Sequence, residues 1–257
     1  MAVRWGGPLA YPPCLSKSSQ LYGQRSAGLA TLGIKDIANE SLPSIHRSTQ
    51  AIIRLAFFVV QRCTDLFSAD FPDFTSIADV LTPDTHPLAV PPHFYSLPDG
   101  VSVPDAVEFI VGKLRSMNVR QVAVVCHADV YWEGTLERLS EARLPLMVMQ
   151  QRGERIPANQ PLVVLSRPAH IGGQEFDAVI AIGLEQGLVP PRVIGNDALA
   201  SAVEQQAYRE IYLSVTRARY RYMVPIPYGS SPTAVLADAN RMGLILDWPV
   251  EEAATTE

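Results

Sequence analysis

Apolar positions between residues 102 and 182 switch repeatedly between helical and strand spacing. Ser102 followed by Pro104 is typical of a helix start, and apolar side chains recur behind it at Val107, Ile110, Val111 and Leu114. Short β-branched runs predict strands at Val122–Cys126, Leu146–Met149, Leu162–Leu165 and Ala178–Ile182, and a helix near Tyr131–Arg143 lies among them. Helices interleaved with such strands predict an α/β fold, a parallel sheet with helices on both faces.

The segment Glu204–Pro227 combines a patterned helix with a following strand. A single helical stripe contains the apolar side chains of Tyr208, Ile211, Tyr212, Val215 and Ala218. Arg217 falls nearly opposite that stripe, at the helix C-terminus, where the macrodipole favours a cation. Two interpretations remain open for Arg217: a side chain over solvent, or an arginine that binds phosphate.

A second arginine stands at the start of another helix. Ser48 or Thr49 is a good N-cap for an apolar helix that runs to about Cys63, and Arg47 directly precedes it. Beside the positive end of a helix dipole a bare arginine is unfavourable, but with a bound phosphate the arginine and the helix N–H groups attract the same anion. Arg47 is therefore a candidate phosphate ligand, and the alternative is a side chain turned to solvent.

The remaining regions are less regular. Residues 1–40 predict an irregular lead-in or interlobe segment, and the proline-rich residues 64–103 predict a long irregular crossing. Residues 232–246 predict one helix, and the acidic residues that follow predict a frayed end, so 229–257 forms a C-terminal unit.

Composition narrows the functional classes. Of 257 residues, 47% are hydrophobic and 18% charged, which indicates a globular protein with a sizeable core. The formal charge of −5 argues against a generally basic nucleic-acid binder. Three widely spaced cysteines suggest neither a disulfide framework nor a metal site, and a reducing cytoplasm fits this pattern. We expect no transmembrane span and no signal peptide.

Three segments resemble signatures of UvrD/Rep-type superfamily 1 helicases. Tyr212, Thr216, Arg217 and Ala218 match a Tyr-x-x-x-Thr-Arg-Ala core, and residues 47–49 match an Arg-Ser-Thr signature. In that family both arginines reach the γ-phosphate of ATP. The resemblance therefore implies that Arg47 and Arg217 are catalytic and bind nucleotide.

The third segment, SRPAHIGGQEFDAV, resembles Thr-x-His-x-x-Lys-Gly-Leu-Glu-Phe-Asp-x-Val. The matching residues are Gly173, Glu175, Phe176, Asp177 and Val179. The resemblance implies that Gly173 and Glu175 contact the nucleotide and that Arg167 and His170 contact nucleic acid, and we expect the glycine turn at the carboxyl ends of the parallel strands. Gly172, Gln174, Ala169 and Arg167 replace family residues, and His170, one position off, is alternatively a simple surface histidine.

Together these segments imply a three-layer RecA-like lobe over residues 41–228. The sequence contains no GxxxxGK[ST] loop, so the chain alone should not hydrolyse ATP. The resemblance implies ATP and Mg²⁺ shared with a Walker A-containing helicase lobe or subunit, together with weak binding of single-stranded DNA. The alternative is a catalytically inactive, helicase-derived module that binds a protein or nucleic acid.

Overall fold

The computed structural model describes residues 44–45, 48–62, 79–80, 86–157 and 160–248. Within these ranges the strands are β1 Ser44–Ile45, β2 Asp79–Val80, β3 His93–Ser96, β4 Gln121–Cys126, β5 Leu146–Val148, β6 Leu162–Ser166, β7 Phe176–Ile182, β8 Ala218–Ile226 and β9 Leu246–Asp247. The helices are α1 Gln50–Val60, α2 Val103–Ser116, α3 Trp132–Glu141, α4 Asp197–Val215 and α5 Ala234–Arg241, with a 3₁₀ turn at Asp129–Tyr131. Arg47 and the N-terminal lead-in lie outside the described residues.

Seven strands form one sheet in the order β5-β6-β4-β7-β8-β3-β9, and every pair of neighbours is parallel. A separate parallel pair joins β1 to β2. The central strands β4, β6 and β7 are apolar along nearly their whole length because helices cover both of their faces. The predicted α/β fold with a parallel sheet is confirmed.

Side-chain alternation along β4 and β8 assigns the helices to the two faces. Val122, Val124 and Cys126 pack in one core with α2 and α3, whereas α1 contacts α4 and α5. On β8, Met223 belongs to the core under α2 and α3, and the next residue back, Tyr222, contacts Ser214 of α4. Successive strand residues point to opposite faces, so the architecture has three layers.

Helix α2 shows why its bounds could be predicted. The Ser102 hydroxyl accepts a hydrogen bond from the Asp105 N–H at 3.2 Å, and Pro104 occupies the first turn, where no N–H is needed. Lys113 and Arg115 lie in the last turn, where the helix dipole favours cations. The helix buries the predicted apolar stripe.

Two predictions about irregular or terminal regions are wrong. Residues 64–103 contain β3, which lies inside the sheet between β8 and β9. Prolines bracket this four-residue strand at Pro91, Pro92 and Pro98, where their missing N–H groups cost little. The single helix predicted at 232–246 is instead α5 followed by β9, because Gly243 adopts φ 70° after the helix and reverses the chain.

Helix α4 begins earlier and ends earlier than its pattern predicted. It begins at Asp197, where the Asn196 side chain accepts a hydrogen bond from the Leu199 N–H at 2.9 Å. It ends at Val215, and Ala218 is the first residue of β8 rather than a member of the helical stripe. Arg217 therefore lies in the connection to β8. None of the helices that the structure describes is long and apolar enough to cross a membrane.

Candidate functional site

The connection between β6 and β7 runs from one end of the sheet to the other. Ser166, at the end of β6, pairs with Val125 near the end of β4, whereas Phe176, at the start of β7, pairs with Ala218 at the start of β8. We call the end of the sheet where the strands begin the amino edge, and the end where they finish the carboxyl edge. Residues 167–175 pass from the carboxyl edge to the amino edge because parallel strands require such a return.

The predicted position of the glycine turn is therefore wrong. Gly173 and Glu175 lie just before β7, at the amino edge, and not at the carboxyl ends of the strands. Gly173 adopts φ 84° in open space, where a built Cβ meets no atom within 4 Å. The backbone conformation, and not close packing, thus favours glycine at this position. Glu175 is half-buried beside it.

Arg217 is buried at the amino edge, with only 3% of its surface exposed. Its Nη1 donates a hydrogen bond to the Gln174 carbonyl at 3.2 Å, and its Nη2 donates to the Thr216 hydroxyl at 3.1 Å. The Arg217 carbonyl accepts a hydrogen bond from the Phe176 N–H at 2.9 Å. The interpretation of Arg217 as a side chain over solvent does not hold, because this arginine braces the turn that precedes β7.

The N-terminus of α1 docks on the same edge. The Ser48 hydroxyl donates a hydrogen bond to the Ala218 carbonyl at 2.7 Å, and the Thr49 N–H donates to the Arg219 carbonyl at 3.1 Å. Both Ser48 and Thr49 are buried. Residues from each of the three signature segments thus meet at the amino edge, although they come from distant parts of the sequence.

Asp177 ties the same turn to the centre of the sheet. Its Oδ2 accepts hydrogen bonds from the N–H groups of Arg120 and Gln121, each at 3.1 Å. These two residues lead into β4, so Asp177 joins the starts of β4 and β7. Asp177, which matches the third signature, therefore has a structural role that the sequence pattern did not reveal.

Arg167 and His170 lie away from that cluster, at the carboxyl edge. Arg167 donates two hydrogen bonds to Asp129 Oδ1, from Nε at 3.1 Å and from Nη2 at 2.9 Å, and its guanidinium lies 4.2 Å from the centroid of the Trp132 ring. His170 Nδ1 lies 3.3 Å from the Met149 carbonyl. The candidate nucleic-acid residues and the candidate nucleotide residues that the structure describes therefore occupy opposite edges of one sheet.

Buried titratable groups at the carboxyl edge were not predicted from the sequence. Burial raises the pKa of the Cys126 thiol to about 12, so this thiol is un-ionised at neutral pH and is no nucleophile. Burial also raises the pKa of Tyr131 to about 12 and the pKa of the Glu185 carboxyl, which is 4% exposed. A single Cys, Tyr or Glu at a strand end gave no signal in the sequence, since their proximity arises only from strand order.

Structural similarity to one known protein agrees with this fold. No protein-family model and no curated protein matches the sequence. The C-terminal domain of a possible DNA helicase from Lactobacillus plantarum WCFS1 is similar in structure, with a TM-score of 0.53 and 18% identity over 79% of this chain and 98% of that one. A DNA complex of the arterivirus helicase, nonstructural protein 10, aligns more weakly, with a TM-score of 0.36 and 10% identity over 61% of this chain and 34% of that one.

The similarity to the possible DNA helicase shows the fold, since identity below 25% says little more. The chain is a three-layer α/β lobe of the RecA-like type, and it shares this fold with the C-terminal domain of that possible helicase.

Proposed function

We propose that this chain is the second motor lobe of a UvrD-like superfamily 1 helicase or translocase. In this role it supplies Arg47 and Arg217 to ATP that a partner lobe holds, and it couples hydrolysis to movement along nucleic acid. The observation that carries the proposal is the meeting of the three signature segments, in which Ser48 bonds to the start of β8 while Arg217 bonds to Gln174. Chance matches to short signatures give no reason for such contacts.

Arg217 is suited to act late in the reaction. Two of its hydrogen bonds go to neutral oxygens, those of Gln174 and Thr216, at 3.2 and 3.1 Å. A γ-phosphate that arrives with the partner lobe is a much stronger acceptor for a guanidinium than a carbonyl or hydroxyl. Arg217 can exchange these contacts for the phosphate as the lobes close, and it then stabilises charge that grows in the transition state.

Within this proposal the two edges of the sheet have separate tasks. Glu175 and the backbone at Gly173 face the nucleotide at the amino edge, and Arg167 and His170 face nucleic acid at the carboxyl edge. The connection 167–175 joins both places directly. A change in nucleotide contact at one end is thereby communicated to the nucleic-acid contacts at the other.

The partner must bring the phosphate loop and the Mg²⁺ ligands. ATP with Mg²⁺ would supply the phosphoryl group and its charge neutralisation from the partner's side, and this chain would hold only the far side of the triphosphate. We infer a Walker A-containing lobe or subunit as the partner and the cytoplasm as the location.

A catalytically inactive module is the second candidate, and the pairing of Arg167 favours it. Asp129 accepts hydrogen bonds from two of the five N–H donors of Arg167, so a nucleic-acid phosphate would have to compete with an existing carboxylate. Gly172 also stands where the related signature has a lysine. Such a module would keep the fold and use it to bind a protein or nucleic acid.

Steady-state ATPase measurements distinguish the candidates. The isolated chain with Mg²⁺-ATP and single-stranded DNA should match the buffer blank. Adding a first lobe that carries a Walker A loop, as a separate chain or within one polypeptide, should produce DNA-stimulated turnover. A turnover by the isolated chain that survives further purification contradicts the motor-lobe proposal, and an inert mixture of stably associated chains favours the inactive module.

A further inference from the structure

A cleft at the carboxyl edge lies between the ends of β4 and β7, the two neighbouring strands whose connections run to opposite sides of the sheet. From β4 the chain proceeds to β5 on one side, and from β7 it proceeds to β8 on the other. In open α/β sheets the crevice at such a switch point is the usual place for a ligand. Here the cleft has a volume of about 630 Å³, within the range of binding sites.

Three segments form its walls. They are residues 127–130 after β4, the turn at residues 188–191 after β7, and one side of α4 between Ala202 and Glu210. The walls are mainly apolar, and the rim exposes large apolar side chains, with Val130 70% and Leu188 38% exposed. Large apolar side chains clustered at a rim are typical of an interaction surface.

The charged side chains that line the cleft are acidic. Within the described lining they are Asp129 and Glu210, with no lysine or arginine. Asp129 is paired with Arg167, whereas Glu210 accepts its hydrogen bond from the neutral Gln206 amide at 2.7 Å. Burial raises the pKa of the Glu210 carboxyl, and the hydrogen bond from the neutral Gln206 amide offsets only part of that rise. A cation placed beside Glu210 would favour the charged carboxylate.

His127 adds another acceptor next to the cleft. Its Nε2 lies 3.2 Å from the Ser214 hydroxyl, whose own proton is directed to the Ile211 carbonyl at 2.8 Å. His127 Nε2 must then carry the ring proton, and burial lowers the pKa of His127 to about 3, so the ring is neutral. Nδ1 is left as an acceptor with no hydrogen-bond partner in the described structure.

We propose that this cleft binds a segment of a protein partner that presents apolar side chains together with lysine or arginine. The walls take the apolar side chains, and Glu210 takes the cation. Nucleic acid is disfavoured as the occupant because Glu210 would repel phosphate inside the cleft; Arg167, the candidate nucleic-acid contact, is not part of the cleft lining. The proposal does not rest on the motor role, since an inactive module would use the same cleft.

The test uses the purified full chain and three fluorescent probes. The first is a helical peptide with leucines at positions i, i+3, i+4 and i+7 and lysines along its flanks. The second has glutamate in place of each lysine, and the third is a single-stranded oligothymidylate. Fluorescence anisotropy should show saturable, micromolar binding of the basic peptide alone.

Two changes in the cleft and one outside it locate the binding. Leu188→Ser should weaken binding of the basic peptide by about tenfold through lost apolar contact. Glu210→Lys should weaken binding of the basic peptide by at least about tenfold and allow the acidic peptide to bind. Glu210→Gln keeps the side-chain shape and should give a smaller loss in the same direction. Met242→Ser, at a 65% exposed position beyond α5, should change nothing.

Several outcomes overturn the proposal. One is the absence of saturable binding of the basic peptide below about 1 mM. Another is equal binding of both peptides, or an unchanged affinity in Glu210→Lys protein that circular dichroism shows to be folded. Oligothymidylate binding that the cleft variants weaken would assign the cleft to nucleic acid. Self-association in sedimentation that Leu188→Ser abolishes would assign it to a second copy of the chain.

Discussion

Replacement of Arg217 tests the proposed motor role at its centre. If Arg217 contacts the γ-phosphate only in the transition state, Arg217→Ala in the complex with a first lobe should reduce turnover by about 10³–10⁵-fold, which corresponds to about 4–7 kcal/mol. Arg217→Lys should lose most of that activity as well, because a point charge does not reproduce the planar fork of a guanidinium.

The burial of Arg217 adds a structural cost to the same change. Removing the side chain leaves the Gln174 carbonyl without that donor and opens space at a site that is only 3% exposed. Loss of a charged hydrogen bond costs about 1.5–3 kcal/mol. In a domain of this size each kcal/mol lowers Tm by about 2–4 °C, so a loss of about 3–12 °C is expected.

Arg221→Ala is the matched control for this structural cost. Arg221 is also buried, at 7% exposure, and its Nε donates to the Leu88 carbonyl at 2.9 Å. Its loss should lower Tm by a similar amount and leave turnover nearly unchanged. Arg219→Ala, next to the site in β8, should also do much less than Arg217→Ala. The two assays are steady-state ATPase of the complex and thermal unfolding by circular dichroism, and a near-normal rate in folded Arg217→Ala protein would refute the catalytic role.

Three further predictions concern the isolated chain. Single-stranded DNA should bind weakly and with a small salt slope, since Arg167 is already paired and the net charge is −5; nanomolar binding at physiological salt would contradict this. Burial lowers the pKa of His93 from 6.5 to about 4, so between these pH values the unfolded chain binds a proton that the folded chain does not. The free energy of unfolding should therefore fall as pH falls from about 6.5 towards 4, by at most about 1.4 kcal/mol per pH unit. His93→Gln should reduce this pH dependence of the free energy of unfolding, measured by urea titration at several pH values. An unchanged pH dependence would show that His93 is not its cause. Gly173→Ala should cost about 1–2 kcal/mol because φ is 84°, and an unaltered Tm would refute the backbone argument.

The sequence predicted best those elements whose residues determine them locally. Helix α2 carries its own cap and apolar stripe, and β4 and β7 are apolar runs with no other plausible structure. Strand β3 was missed because four residues between prolines give too short a pattern, and only its neighbours β8 and β9 stabilise it.

The candidate site was predicted less completely, for a geometric reason. Signature matches indicated which segments belong together, and the described contacts of Ser48, Gln174 and Arg217 join those segments. No pattern in residues 167–175 indicates how far this connection runs, so the glycine turn was predicted at the wrong edge. Arg217 was predicted to be a helical residue, whereas α4 ends at Val215. The burial of Arg217 was missed because that prediction placed its side chain on the exposed side of the helix.

The connection from β6 to β7 limits how this chain can tolerate changes in length. Two turns already shorten it, one with a His170 N–H to Arg167 carbonyl bond and one with a Gln174 N–H to Ile171 carbonyl bond. Because β7 lies between β4 and β8, a deletion that slid it by one residue would point its side chains to the wrong faces. The number of residues between β6 and β7 thus sets the register of β7, and the length of the connection 167–175 is constrained together with its sequence.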